Sequence, residues 1–255
     1  MSYIKFLGTA GARFVMINQL RYSAGLWINY RDTNIIIDPG PGALIRVLKS
    51  RPKLKPSKLD GIILTHKHID HSNDVNVLAE AMTAGGFKKR GILIAPGDCF
   101  GKGGVIFDYV TKLPLQTRLL KKGKFKINDL DFQVPSKLKH SVNTYGLKFR
   151  AGKSTVSLIS DTGYFNNLAD LYRADIMVIN VVFKDKREDI EHLCIADAKK
   201  IITKAKPKIA VLTHFGMTML KAKPHIIEEK MARQTGVEVK CAYDGMTLNL
   251  DFNKS

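Results

Sequence analysis

The chain has 255 residues, with 41 Lys and Arg against 23 Asp and Glu, a formal charge of +18. No apolar run reaches the roughly 18 residues that a membrane-crossing helix needs, and the start Met1-Ser2-Tyr3-Ile4-Lys5 has neither the basic segment nor the apolar stretch of a secretion signal. The cysteines Cys99, Cys194 and Cys241 are odd in number and lack C-x-x-C spacing, which argues against a disulfide scaffold; free thiols and a cytoplasmic location are expected.

In chain order, residues 3–7, 25–30 and 33–38 are predicted strands, the last two joined at Asp32-Thr33-Asn34. Residues 43–50 carry Leu44, Val47 and Leu48 at helical spacing and stop before Pro52. A basic connector, Pro52-Lys53-Leu54-Lys55-Pro56, leads to a strand at Gly61-Ile62-Ile63-Leu64. Residues 70–82 put Val75, Leu78, Ala79 and Met82 on one face and are predicted as one helix. Gly85-Gly86 breaks it before a strand at 92–95. Residues 97–112, with Gly101-Lys102-Gly103-Gly104, read as a flexible connection or a substrate-side lid; the GxxxxGK[ST] phosphate loop is absent.

Residues 115–160 are predicted as a second strand series, including 126–134, 145–150 and 155–159, with a tight turn at Ala151-Gly152-Lys153, and 175–182 is a further apolar strand. Residues 195–206 form an amphipathic helix stopped by Pro207. A strand at 209–212, a helix at 225–235 and terminal strands at 237–240 and 246–250 complete the pattern. No Ser/Gly/Pro-rich linker divides the chain, so a single domain over residues 1–255 is expected, of α/β or α+β class by periodicity alone.

The chemistry concentrates in Thr65-His66-Lys67-His68-Ile69-Asp70-His71, directly after an apolar strand. Neutral imidazole is the commonest side-chain ligand for zinc-like metals, and a carboxylate adds charge or bridges. His66 and His68 alternate as strand neighbours do; Asp70 and His71 follow where the chain turns into a helix, a layout that suits two adjacent metals. Asp38, Asp161 and His214 each end a strand-like apolar run, and His140 sits in Leu138-Lys139-His140-Ser141. Rigid strand ends aim such side chains while loops leave room for substrate. His225, after Pro224, has no partner pattern and reads as a surface residue at a helix start.

The set Asp38, His66-x-His68-x-Asp70-His71, His140, Asp161 and His214 resembles the five motifs of the metallo-β-lactamase superfamily, in order across nearly the whole chain. Phe6-Leu7-Gly8-Thr9 at the start, and His192 just upstream of Leu212-Thr213-His214-Phe215, resemble the ribonuclease Z-like phosphodiesterase branch. The chain departs from ribonuclease Z in three places. Asn73 to Leu78 replaces a Gly-Leu-Pro-Gly run, Asp38 is followed by Pro39-Gly40-Pro41-Gly42, and no long Gly/Pro-rich arm for gripping transfer RNA is visible.

The resemblance implies a four-layer αββα sandwich and a dinuclear metal site. His66, His68 and His140 would hold one ion, Asp70, His71 and His214 the other, and Asp161 would bridge them. Two zinc ions suit this imidazole-rich set, with manganese or iron as alternatives; His68, where the di-iron oxygen-reducing branch has Glu, argues against that branch. In the family, two ions roughly 3.5–4 Å apart share a bridging hydroxide that attacks a phosphodiester. Asp70 would also orient that hydroxide, and Asp38 would accept an N–H from a ligand imidazole. His192 would contact the phosphate and protonate the leaving oxygen, with Glu191 placed to tune it.

Basic residues cluster at 49–58, at Lys88-Lys89-Arg90, at Lys121-Lys122-Gly123-Lys124 and at 199–208. A field of that sign gathers polyanions, so a phosphodiester such as RNA or DNA is the expected partner, with no membrane and with room for a homodimer. Two other readings stand beside this one. The same fold serves lactone, thioester or amide hydrolases, and a basic protein with structural metal could bind nucleic acid without cutting it.

Overall fold

The computed structural model describes residues 2–23 and 25–250, so residues 1 and 251–255 of the expected 1–255 domain lie outside the described residues. The elements run β1 (Tyr3–Phe6), α1 (Ala12–Ile17), β2 (Leu26–Tyr30), β3 (Thr33–Ile37), α2 (Ala43–Leu48), β4 (Gly61–Ile63), α3 (Ile69–Ser72), α4 (Val75–Thr83), β5 (Ile92–Ala95) and β6 (Gln116–Leu119). They continue with β7 (Gly123–Ile127), β8 (Leu130–Val134), β9 (Leu147–Ala151), β10 (Ser154–Ile159), α5 (Leu168–Leu171), β11 (Ile176–Asn180), α6 (Ile195–Ala205), β12 (Ile209–Thr213), α7 (Met217–Lys221), α8 (Pro224–Thr235), β13 (Glu238–Cys241) and β14 (Thr247–Asn249).

The strands form two seven-stranded sheets, ordered β14-β1-β2-β3-β4-β5-β6 and β13-β12-β11-β10-β9-β8-β7. Alternation sets their packing, because successive strand residues face opposite sides. Ile28, Ile35, Ile37 and Ile63 of the first sheet meet Phe132, Phe149, Leu158 and Val211 of the second in one inner core. The other faces are covered by helices. Trp27, Ile36 and Ile62 pack against Val47 of α2 and Leu78 and Met82 of α4. Met177, Ile179 and Leu212 pack against Leu168 of α5, Ile201 of α6 and Ile227 of α8. This is the αββα sandwich that the motifs imply, and among the described residues no helix is long and apolar enough to cross a membrane.

Strands β3 to β6 run parallel, as do β10 to β13. Crossover connections therefore bring the carboxyl ends of β3, β4, β10, β11 and β12 to one edge of the sandwich. The residues just beyond those ends, or last in the strand, are Asp38, Thr65, Asp161, Asn180 and His214.

Four expectations are corrected. The single helix at 70–82 is two helices, α3 and α4, broken at Asn73-Asp74. Buried Asp74 accepts the Leu44 N–H at 3.0 Å through Oδ2, which pins the corner to α2. The strand at 126–134 is the hairpin β7–β8, turning at Asn128 with φ 47°, a conformation that Asn tolerates. Strand β6 joins the first sheet, so the second series begins only at β7. The short helices α1, α5 and α7 span 6, 4 and 5 residues, too few for the periodicity that reveals a helix. His225 is exposed at the start of α8, as expected, and the three cysteines are free.

Gly40 sits where the β3 loop crosses α3, and a Cβ there would lie 2.0 Å from the Asp70 carbonyl oxygen. A backbone atom cannot step aside cheaply, so Gly40→Ala should destabilise the fold by about 1–3 kcal/mol or more. Gly97→Ala, with nothing within 4 Å of its Cβ, is the control and should be near neutral. Urea unfolding of the two variants measures the difference; equal midpoints would contradict the close approach.

Candidate metal centre

Asp38 follows β3 with φ 53°, a left-handed turn that swings its carboxylate under the next strand. Its Oδ1 accepts the Thr65 N–H and its Oδ2 the Thr65 hydroxyl, both at 2.6 Å. The same Oδ2 lies 3.0 Å from His71 Nδ1. A carboxylate only accepts here, so His71 carries its proton on Nδ1 and offers Nε2 to the site. Thr65 spends its own proton on Asp38. Its oxygen is then an acceptor for His66 Nδ1 at 3.1 Å and for Ser160 Oγ at 2.8 Å, which leaves His66 Nε2 free. Asp38 thus orients two imidazoles, one directly and one through Thr65.

His140 arrives on the segment between β8 and β9. Its Nδ1 donates to the Glu191 carbonyl at 3.1 Å, and its Nε2 lies 3.1 Å from His68 Nδ1. Glu191 therefore acts through its backbone on His140, where its side chain was expected to tune His192. His214 sits at φ 62° after β12. Phe215 N–H donates to Thr9 O at 2.8 Å and Gly11 N–H to Phe215 O at 3.0 Å, which holds this strained turn. His214 Nε2 is 3.2 Å from His71 Nε2.

Asp161, after β10, is the meeting point. Its Oδ2 lies 3.3 Å from His214 Nε2, 3.4 Å from His71 Nε2, 3.7 Å from His192 Nδ1 and 3.8 Å from His66 Nε2. Its Oδ1 accepts Asn180 Nδ2 at 2.8 Å, which fixes the carboxylate plane. Asp70 Oδ2 is 3.4 Å from His214 Nε2 and 3.7 Å from His71 Nε2.

Four triads have donor atoms within 4.8 Å of one another: His66-His68-His140, Asp70-His71-His214, Asp38-His66-His71 and His140-Asp161-His192. The first two are the two expected groups. The last also makes His192 a geometric candidate for a ligand. His66 Nε2 and His192 Nδ1 are buried and have no hydrogen-bond partner among the described residues. Orphaned imidazole nitrogens facing a buried carboxylate fit a divalent cation, which supplies the charge and contacts that they lack. Sequence reading missed Thr65, Ser160 and Asn180. The signal for Asn180 was present, since it ends an apolar strand as Asp161 and His214 do.

The charges explain how this cluster survives burial without ions. Burial works against a proton on His214, but Asp161 overrides it and raises the imidazole to about 9. Burial likewise opposes His71, yet Asp70, Asp161 and Asp38 together hold it well above its ordinary value. Asp161 and Asp70 are pulled down, against burial, by His214 and His71. His66 and His68 have no such surplus of anions. Burial lowers both, with His71 adding to the effect at His66 and His140 at His68. His192, packed against His140 and Phe183, is lowered by burial to about 4.

The basic clusters lie elsewhere. Lys88-Lys89-Arg90 precedes β5, residues 49–58 precede β4, and residues 199–208 precede β12. All three sit toward the amino ends of parallel strands, at the edge opposite the histidines. Lys121, Lys122 and Lys124, where β6 passes into β7, lie toward the site edge, as do Lys67 and Lys139 beside His66 and His140.

Residues 33–215 match the family described as "Beta-lactamase superfamily domain". The chain is similar to an uncharacterised protein of Methanocaldococcus jannaschii, 28% identical over 97% of this chain and 94% of the relative. It is also similar to a ribonuclease Z of Borreliella afzelii, 23% identical over 98% of this chain and 97% of the relative. Among solved structures, a metallo-β-lactamase-fold protein of Bacillus subtilis superposes with TM-score 0.77 at 18% identity, covering 97% of this chain and 98% of its own. The chain belongs to this superfamily, whose members are in general metal-dependent hydrolases.

A metal ligand must be deprotonated, so an ion taken up at His214 would have to displace the proton that Asp161 holds there. Its folded pKa of about 9 exceeds the ordinary 6.5. The stability which that proton contributes to the ion-free fold is complete below about 6.5 and is lost as pH rises through about 9. Zinc uptake at pH 7 should therefore release protons, and the thermal stabilisation by zinc should widen from pH 7 to 9. Titration calorimetry in two buffers of different ionisation enthalpy reads the proton release; none at pH 7 would contradict the assignment of His214.

Proposed function

We propose that this member of the metallo-β-lactamase superfamily is a two-zinc phosphodiesterase of the ribonuclease Z-like type. His66, His68 and His140 would hold one ion, and Asp70, His71 and His214 the other, with Asp161 between them. The observation that carries the reading is His192. It is an additional imidazole beside the two groups, with Nδ1 aimed at the shared Asp161 oxygen at 3.7 Å and no hydrogen-bond partner among the described residues. A thioester, whose thiolate departs unprotonated, has little need of a proton donor in that place. A phosphodiester with a poor leaving group does.

Bound divalent ions supply Lewis acidity toward phosphoryl oxygens and bring water to an ionised, nucleophilic state near neutral pH. The chain's own residues do the rest. Asp70 is more exposed than Asp161, at 13% against 2%, and is placed to take a proton from an attacking water. Asn180 keeps Asp161 Oδ1 occupied, so Oδ2 alone faces the ion positions. Asp38 and Thr65 hold the tautomers of His71 and His66. His192 meets the substrate from the side of His140 and gives its proton to the departing oxygen. A phosphodiester anion beside it offsets the burial that disfavours its charged form. Zinc suits the donor set, five imidazoles to two carboxylates.

The metal content is tested by stoichiometry. Gently purified protein should carry about two zinc ions per chain by elemental analysis, and Asp161→Ala should lose occupancy of both positions together. A reproducible content of one ion or none with full activity would sink the dinuclear reading.

His192→Ala should retain both ions and the fold. Its hydrolysis of a phosphodiester with a poor leaving group should fall roughly 10²-fold or more, as expected for loss of a general acid. A nitrophenyl phosphodiester needs less protonation and should lose less. Equal losses would assign His192 to phosphate binding, and loss of an ion would make it a ligand. No loss on either substrate would favour the lactone or thioester reading.

A further inference from the structure

Helices cover only part of the second sheet's outer face, because α5, α6 and α8 pack over β10 to β13. Over β7, β8 and β9 lies an open groove of about 460 Å³, lined by Lys124, Gln133, Lys148, Arg150 and Thr155 with Asp131. The register is specific. Lys124 pairs with Gln133, and Gln133 with Lys148, so two ammonium groups flank one amide across three adjacent strands, roughly 10 Å from first to last. The next row sets Lys126 opposite Asp131 and Arg150 opposite Thr155.

The nearby carboxylates are already engaged. Asp131 faces Lys126 at 4.0 Å. Asp175 accepts the Thr155 N–H and hydroxyl, each at 2.8 Å, and pairs with Lys208 at 2.8 Å. Among the described residues, Lys124, Lys148 and Arg150 have no carboxylate within 4.0 Å. Lys148 is half-buried, and burial together with Arg173 depresses its ammonium form. Like charges on one sheet face cost stability, and a bound anion removes that cost.

One end of the groove, at Lys124, Gln133 and Lys148, lies on the site's edge, while Arg150 and Thr155 extend toward the far one. Gln133 is the second-last residue of β8 and Lys148 the second of β9, and the chain between these strands carries His140. The larger basic clusters sit at the opposite edge. Charges there are screened beyond a Debye length of about 8 Å at physiological salt.

We propose that this groove is an exosite for the backbone phosphates of a polynucleotide, with Lys124, Lys148 and Arg150 as the phosphate contacts and Gln133 as a hydrogen-bonding partner between them. That the same strand is cut at the His/Asp cluster rests on the phosphodiesterase reading; the binding itself does not.

The test uses the full chain with metal chelated, titrated with a labelled single-stranded oligoribonucleotide across a salt series. Each phosphate contact on a single strand adds about 0.7 to the log–log salt slope. The double variant Lys124→Gln/Lys148→Gln should reduce that slope by about 1.4, and Lys124→Arg/Lys148→Arg should restore it. The double variant Lys88→Gln/Lys89→Gln removes the same charge at the far edge and should leave the slope nearly unchanged. Equal reductions in the two Gln doubles would reduce the groove to bulk charge and overturn the proposal, as would an unchanged slope in the first. Displacement of the oligonucleotide by a mononucleotide at equal phosphate concentration would make it a nucleotide pocket and overturn the backbone assignment. Separately, zinc-loaded wild-type protein is assayed on a nitrophenyl phosphodiester. No turnover there, with the slope change intact, would refute the phosphodiesterase reading and leave the exosite standing.

Discussion

A buried carboxylate oxygen within 3.3–3.8 Å of four imidazole nitrogens is the constraint on which the rest of the centre depends. An anion as enclosed as Asp161 is costly unless charge and hydrogen bonds surround it. Asn180 satisfies one of its oxygens, and the imidazoles satisfy the other, with protons or with cations. Asp70 and Asp38 extend this arrangement outward, each placing another anion against the same histidines. A cation entering the centre would displace protons from these imidazoles, so uptake of an ion and release of protons would be linked.

That constraint sets requirements on the fold. The ligands come from β3, β4, β10 and β12 and from the segment between β8 and β9, and two parallel strand sets must present their carboxyl ends at one edge. The close approaches are steric. A Cβ added at Gly40 would lie 2.0 Å from the Asp70 carbonyl oxygen and one at Gly11 would lie 2.1 Å from that of His214, so neither position admits a side chain. The β1 loop, through Thr9 and Gly11, clamps the turn that carries His214, so the two ends of the sequence meet at the metal centre. Asp244 accepts Thr9 N–H at 2.9 Å and Thr9 hydroxyl at 2.7 Å, which fastens that loop from the other end of the chain.

The charge of +18 is not spread evenly around this centre. Three of the four lysine- and arginine-rich segments precede strands and so sit away from the histidines. The positive side chains that share the site's edge are fewer, but they stand in register on a bare polar sheet face. Position, more than number, decides which charges can act on a molecule held at the centre, because screening confines each to its surroundings.

Much of the site was legible in the sequence. The H-x-H-x-D-H turn and the strand-end residues Asp38, Asp161 and His214 are readable because coordination chemistry restricts residue types and because strand ends follow apolar runs. The four-layer order of helices and sheets followed from the family resemblance that those motifs carry. Tertiary structure decided what has no local signature. Asn73-Asp74 breaks a helix whose apolar spacing looks continuous, because Asp74 is claimed by the Leu44 amide of α2. The hairpin at Asn128 hides in an unbroken alternation of buried and exposed residues. Thr65, Ser160 and Asn180 orient the ligands through bonds spanning 19 to 95 residues of chain, a separation that periodicity cannot register. The groove over β7 to β9 exists only because strand pairing sets Lys124, Gln133 and Lys148 side by side, and register is a property of the folded sheet.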